Sequence, residues 1–111
     1  MVRTKNQDAL VRDSFALSDV VVYLCAVADG MGGHLAGDVA SRTAVEELSL
    51  GVAEAIQGLP PREVLSLAVT RANSKVLHRA QSDPSCSGMG TTLTAALLFP
   101  GVAYILSLIH I

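Results

Sequence analysis

The stretch from residue 27 to residue 34 reads Val-Ala-Asp-Gly-Met-Gly-Gly-His and carries the residues most suited to chemistry. Asp29 follows an apolar run, and a carboxylate is costly to place there unless a positive partner meets it. The glycines after Asp29 permit positive φ and let backbone groups come close to a small guest. The stretch therefore predicts a metal or phosphate site at a strand end. A tight turn that caps a helix is the alternative, because Asp-Gly is a common turn pair.

Of the two kinds of site, a metal site suits these residues better than a phosphate-binding loop. No Lys follows the glycines, and Leu35 stands where a dinucleotide-binding loop has its last glycine. Mg²⁺ and Mn²⁺ prefer carboxylate and carbonyl oxygens, which Asp29 and Gly30 can supply. Because one Asp is insufficient, we expect Asp8 to contribute as well. Arg3 could bind an anionic group held by the metals, since guanidinium pairs with phosphate through two hydrogen bonds.

The segments before the glycine stretch are expected to form strands. Residues 19–28 are nearly all apolar, which predicts a strand with both faces covered. Residues 8–11 predict a short strand, and residues 12–19 predict a loop.

Two helices are expected after the glycine stretch. From residue 36 to residue 57, apolar residues recur at steps of three and four, as on one face of a helix. Gly58 and the Pro60-Pro61 pair end this helix, and Pro61 suits the first turn of a second helix that ends near residue 81. The residues expected on the two apolar faces are Val39, Val45, Leu48, Val52 and Ile56, then Val64, Leu65, Ala68, Ala72, Val76 and Leu77.

The C-terminal segment, residues 91–111, contains no Asp, Glu, Lys or Arg and is long enough to cross a bilayer. Pro100-Gly101 in its middle is a turn signal between two apolar runs. We therefore predict two buried strands, residues 91–99 and 102–108, and no membrane partner. A membrane-associated protein is the alternative.

Composition limits the chain to one small domain. It has 111 residues, of which 50% are apolar and 16% are charged. A net charge of −2 and scarce aromatic residues argue against a nucleic-acid partner. The polar N-terminus lacks a signal peptide pattern, and Cys25 and Cys86 demand no oxidising compartment, so we expect a cytoplasmic protein with Cys25 in its core. A helix pair between strands favours an α+β fold, with antiparallel helices packed on a sheet.

Four segments in order resemble motifs of the bacterial metal-dependent protein phosphatases of type 2C. They are residues 2–9 (VRTKNQDA), 27–34 (VADGMGGH), 36–41 (AGDVAS) and 88–93 (GMGTTL). One such segment would be a weak signal, but four in this order and spacing are a strong one. The resemblance covers nearly the whole chain up to Tyr104.

The resemblance implies part of an α-β-β-α sandwich and two Mn²⁺ or Mg²⁺ ions. It also implies hydrolysis of phosphoserine and phosphothreonine on proteins by a water that bridges the metals. By position, Arg3 matches the phosphate-binding arginine and Asp29 the carboxylate that bridges both metals. Gly30 matches a backbone carbonyl ligand, and Asp8 matches an acidic position at the edge of the second metal.

Two further residues lie beside this set without an assigned ligand role. Gln7 stands where some relatives have Glu. His34 follows the glycines as in bacterial members of the family, and both helix capping and proton transfer stay open for it. Thr91 and Thr92 are expected to be ordinary strand residues.

The chain departs from the family pattern at both ends. The family has a strand before the arginine motif, and later in its sequence a Gly-Asp-Ser-Arg segment and further metal-binding aspartates. We therefore predict that residues 1–105 form the N-terminal part of a type 2C catalytic domain, truncated at both ends. We interpret residues 106–111 as a tail that does not belong to the family and that is an artefact of sequencing or assembly.

A partial domain of this kind has physical consequences. We expect it to leave an apolar sheet face uncovered, to aggregate and to be inactive alone. For the parent protein, the alternative to an active enzyme is a non-catalytic pseudo-phosphatase or a regulatory binding module of the same fold.

Overall fold

The computed structural model describes residues 8–32 and 34–108, without the side chains of His34 and Leu108. Within those residues the elements follow one another as strand, strand, helix, helix, strand, strand. They are β1 (Asp8–Leu17), β2 (Val20–Met31), α1 (His34–Ala55), α2 (Pro61–Ser82), β3 (Gly90–Phe99) and β4 (Val102–Leu108), with a short 3₁₀ turn at Pro84–Cys86.

The four strands form one sheet in the order β1-β2-β3-β4, and every neighbouring pair is antiparallel. β3 and β4 are joined at Pro100-Gly101, where Gly101 takes a φ of 80°. The predicted strand pair and its turn are therefore confirmed, but the burial predicted for the second strand is wrong, since Val102, Ile105 and Leu106 of β4 are exposed. None of the described helices is both long and apolar enough to cross a membrane.

The first strand is longer than predicted. β1 continues through Leu17, and the chain turns at Ser18, whose φ is 53°. The expected loop at residues 12–19 is therefore wrong. The alternation of inward residues was hidden because Asp13 occupies one of the inward positions of the strand, where its Oδ2 accepts a hydrogen bond of 2.7 Å from Ser49 on α1.

Both helices pack on one face of the sheet and against each other. They approach closely at Gly51, where an added Cβ would lie 3.0 Å from the Cα and the Cβ of Ala68. Nearly all residues predicted on the apolar helix faces are buried, but Val39 is only half-buried and Leu77 is 50% exposed, and Val69, which was not predicted, is buried. The largest fully buried apolar side chains are Leu24, Leu48, Leu93, Leu97, Val22, Val52, Val64 and Val76.

The opposite face of the sheet, which we call the outer face, is exposed in the described part of the chain. Tyr23 and Val27 of β2 are each 52% exposed, and Ile105 of β4 is 70% exposed. Cys25, which was expected in the core, lies on the outer face and is only half-buried. The two covered faces predicted for β2 are therefore not found here, whereas the uncovered apolar face expected of a partial domain is confirmed.

Candidate metal centre

The outer face carries a row of polar residues at one end of the sheet. The strand register places Asp8 of β1 opposite Asp29 of β2, and Asp29 opposite Thr92 of β3. Asp29 lies two residues before the end of β2, as the sequence predicted for a carboxylate at a strand end. Alternate residues of a strand point to opposite faces, so all three of these side chains belong to the face away from the helices.

Asp8 and Asp29 interact directly, and their interaction is unfavourable when both are charged. The pKa of Asp29 is raised above its usual range, first by a side-chain hydrogen bond with Asp8, then by the negative charge of Asp8, and last by slight burial. Two carboxylates in one place disfavour double ionisation. A cation between them would remove that repulsion, and Asp29 is exposed enough to be reached from solvent.

The backbone beside this acidic pair is held from the inner face of the sheet. Gly30 is buried and lies opposite Thr91, which is fully buried. The hydroxyl of Thr91 donates a hydrogen bond of 2.7 Å to the carbonyl oxygen of Thr92. Gly30 thus adjoins the acidic pair, and its role as a carbonyl ligand stays a prediction.

The glycine stretch makes a close backbone contact within the chain. Gly32 has a φ of 115°, and a Cβ added to it would lie 2.7 Å from the Cα of Met89 and 3.1 Å from the carbonyl oxygen of Gly88. The sequence indicated a close approach of backbone to a small guest. At Gly32 the group that comes close is the chain's own segment before β3, and the buried Met89 packs there.

The start of α1 is held by local contacts around Asp38. Arg42 forms an ion pair of 3.1 Å with the carboxylate of Asp38, one helical turn away. The buried Ser41 donates a hydrogen bond of 3.2 Å to the carbonyl oxygen of Asp38. These contacts order the first turns of the helix that follows the glycine stretch.

The roles predicted for the site residues all stay predictions, and for three of these residues the structure describes no side chain. Arg3 and Gln7 lie outside the described residues, and α1 begins at His34, whose side chain is not described. In the part of the chain that the structure describes, no group of three or more His, Cys, Asp or Glu side chains could hold a metal ion. The donor chemistry of Asp8 and Asp29 nevertheless fits hard cations such as Mn²⁺ and Mg²⁺, as part of a larger ligand set.

One contact of the site was not foreseen from the sequence. The backbone N–H of Asp29 donates a hydrogen bond of 3.2 Å to the hydroxyl oxygen of Thr92. The two residues lie 63 positions apart, so only the pairing of β2 with β3 brings them together. The available signal was the position of Thr92 in the segment at residues 88–93, which we interpreted as ordinary strand.

An antiparallel sheet with a helix pair on one face and an acidic pair at one end of the other face defines the class of this chain as an α+β domain. The chain matches the family profile described as Protein phosphatase 2C over residues 2–108. The chain therefore belongs to the protein phosphatase 2C family.

Curated relatives from this comparison are also serine/threonine phosphatases. The chain is 37% identical to the Mycobacterium tuberculosis serine/threonine protein phosphatase PstP over 111 residues, which cover 100% of this chain and 19% of that protein. It is 44% identical to the Listeria innocua serine/threonine phosphatase stp over 75 residues, 65% of this chain and 30% of that protein. The chain thus spans less than a third of the length of these relatives.

Solved structures agree with the fold. The crystal structure of M. tuberculosis PstP matches with a TM-score of 0.75 and 32% identity, over 97% of this chain and 42% of that one. The structure of the PstP catalytic domain in complex with two manganese ions matches with a TM-score of 0.67 and 36% identity, over 88% of this chain and 39% of that one. The four-stranded sheet and its two helices therefore correspond to part of the family's fold.

Proposed function

We propose that this chain is the N-terminal part of the catalytic domain of a cytoplasmic, metal-dependent protein phosphatase, which hydrolyses phosphoserine and phosphothreonine on proteins. The observation that carries the proposal is the Asp8–Asp29 pair. Its two carboxylates meet on an accessible sheet face, in a chain of the 2C family. A structural role alone does not account for two like charges placed side by side, because like charges directly opposite on a sheet are destabilising.

In this proposal Asp29, Asp8 and the backbone carbonyl of Gly30 would help to hold two Mn²⁺ or Mg²⁺ ions, as part of a larger ligand set. The bound ions supply a water of lowered pKa and positive charge that neutralises the phosphoryl oxygens. Arg3 binds the phosphate through two hydrogen bonds and orients it for attack in line with the leaving oxygen. The match to a relative whose structure contains two manganese ions supports the assignment of two metal ions.

The test uses the protein encoded by the complete gene, assayed with Mn²⁺ on a phosphothreonine peptide. Asp29→Asn is expected to lower kcat/KM by about 100-fold or more, because metal charge stabilisation is worth several kcal/mol. Asp19→Asn is the matched control, since Asp19 is an exposed aspartate in the turn between β1 and β2, at the other end of the same hairpin.

Full activity of the Asp29→Asn protein would refute the proposed function. A native protein that binds Mn²⁺ but hydrolyses no phosphopeptide would instead identify a non-catalytic member of the family.

A further inference from the structure

The hydroxyl of Thr92 is placed to control the backbone of the metal-binding aspartate. Its Oγ1 accepts the hydrogen bond of 3.2 Å from the N–H of Asp29, directly across from it on the outer face. We infer that Thr92 is a positioning residue: it holds the main chain at Asp29 and thereby directs both the Asp29 carboxylate and the adjoining Gly30 carbonyl. The part of this inference that concerns metal binding rests on the proposed function.

The need for such a restraint follows from the neighbouring residues. Asp29 is followed by Gly30 and, beyond Met31, by Gly32, and glycines place little restriction on the backbone. On its other side, Asp8 repels Asp29 when both are charged. A strand end that contains glycines beside Asp29 and a second carboxylate opposite it therefore gains from a fixed hydrogen-bond partner at the Asp29 main chain.

Thr92 is itself well held. Its side chain is β-branched and therefore has restricted rotamers. Its carbonyl oxygen accepts the 2.7 Å hydrogen bond from the buried Thr91 hydroxyl, and the residue lies within β3, paired with β2. Because this hydroxyl is fixed on the central strand pair, its hydrogen bond can hold the Asp29 amide in place.

The chain offers a matched control at Thr94. This residue lies two positions further along β3, on the same outer face, and its hydroxyl is 3.0 Å from that of Ser107 on β4. Thr94→Val therefore removes a hydrogen-bonding hydroxyl from the same strand and face, on the side away from Asp29. Thr92→Val keeps the β-branched shape, and Thr92→Ser keeps the hydroxyl.

The experiment uses the protein encoded by the complete gene and has two readouts. The first is hydrogen exchange of the Asp29 amide, followed by NMR after selective ¹⁵N-aspartate labelling of the metal-free protein. The second is the dissociation constant for Mn²⁺, measured by calorimetry. We expect Thr92→Val to accelerate exchange at Asp29 about threefold to tenfold, as the loss of one hydrogen bond implies. We expect it to weaken Mn²⁺ binding about tenfold, as changes to residues that orient metal ligands do.

Thr92→Ser is expected to restore both values to near those of the native protein, and Thr94→Val is expected to change neither. The inference is overturned if Asp29 exchange is unchanged in Thr92→Val, or if Thr94→Val accelerates it equally. It is also overturned if Mn²⁺ affinity is unchanged in Thr92→Val, or if Thr92→Ser does not restore it. Because exchange is measured without metal, it tests the contact even if Asp29→Asn shows the proposed enzymatic function to be wrong.

Discussion

At the scale of single residues, the acidic pair gives the metal-free protein an unfavourable feature that can be measured. The pKa of Asp29 is raised in the folded chain by its contact with Asp8. Between the ordinary aspartate value and this raised value, the folded state therefore binds more protons than the unfolded state. The sign of the linkage follows: without metal, this pair lowers the free energy of unfolding as pH rises through that interval.

We expect Asp29→Asn, measured in EDTA at pH 7, to raise the free energy of unfolding by about 0.5 kcal/mol, the size of one exposed cross-strand interaction. The gain should vanish below the ordinary pKa of aspartate, where the Asp29 carboxyl is protonated in both the folded and the unfolded state. Urea unfolding followed by circular dichroism at several pH values measures it. A gain that is independent of pH, or one matched by Asp19→Asn, contradicts this account.

At the scale of elements, the described part of the link between β2 and α1 contains Gly32, a position that a larger residue would not fit. Gly32 combines a φ of 115° with the close approach of the Met89 backbone, whereas Gly88 and Gly101 have a φ of 80° and open space around them. A side chain at Gly32 would therefore be strained and would also displace a neighbouring segment. At the other two positions it would be strained only.

Gly101→Ala and Gly88→Ala should each lower the free energy of unfolding by about 1–2 kcal/mol, the cost of the left-handed region for a residue with a Cβ. Gly32→Ala should cost about 2–4 kcal/mol, because overpacking adds to that strain. Denaturant titration of the three variants measures the difference. Equal losses in the free energy of unfolding would show that the contact with Met89 does not contribute to the cost at Gly32.

At the scale of the whole molecule, the chain has two unlike faces. The helix-covered face holds the core, while the outer face presents the exposed Tyr23, Val27 and Ile105. In the described residues, the two edge strands of the sheet are β1 and β4. Exposed apolar patches of this kind and free strand edges promote association. The isolated chain should consequently aggregate through its outer face.

Val27→Thr should lower aggregation of the isolated 111-residue chain severalfold, because it removes apolar area while keeping a β-branched residue in the strand. Leu77→Gln is the matched control, since Leu77 is 50% exposed on α2 and Val27 is 52% exposed on the outer face. Light scattering at a fixed concentration reports both. Equal reductions would show that exposed apolar area in general, and not the outer face, drives association.

The sequence by itself determined most of the elements, the family and the strand-end position of Asp29. Helix periodicity, the Pro60-Pro61 break and the Pro100-Gly101 turn are local signals, because neighbouring residues alone set them. The covered faces predicted for β2 and β4 were not found, and the length of β1 was misjudged. Asp13 at an inward position breaks the apolar alternation, and its partner Ser49 on α1 cannot be known from the strand.

Only the tertiary structure decided which residues stand beside Asp29 and how closely. The register of antiparallel strands depends on packing between segments far apart in the chain, and a shift of one residue would move a side chain to the other face. That register puts Asp8 and Thr92 on either side of Asp29, and the same packing brings Gly32 against Met89. Local sequence preference contains no information on the neighbours of Asp29 or on the contact of Gly32 with Met89, since both depend on how the whole sheet packs against its helices.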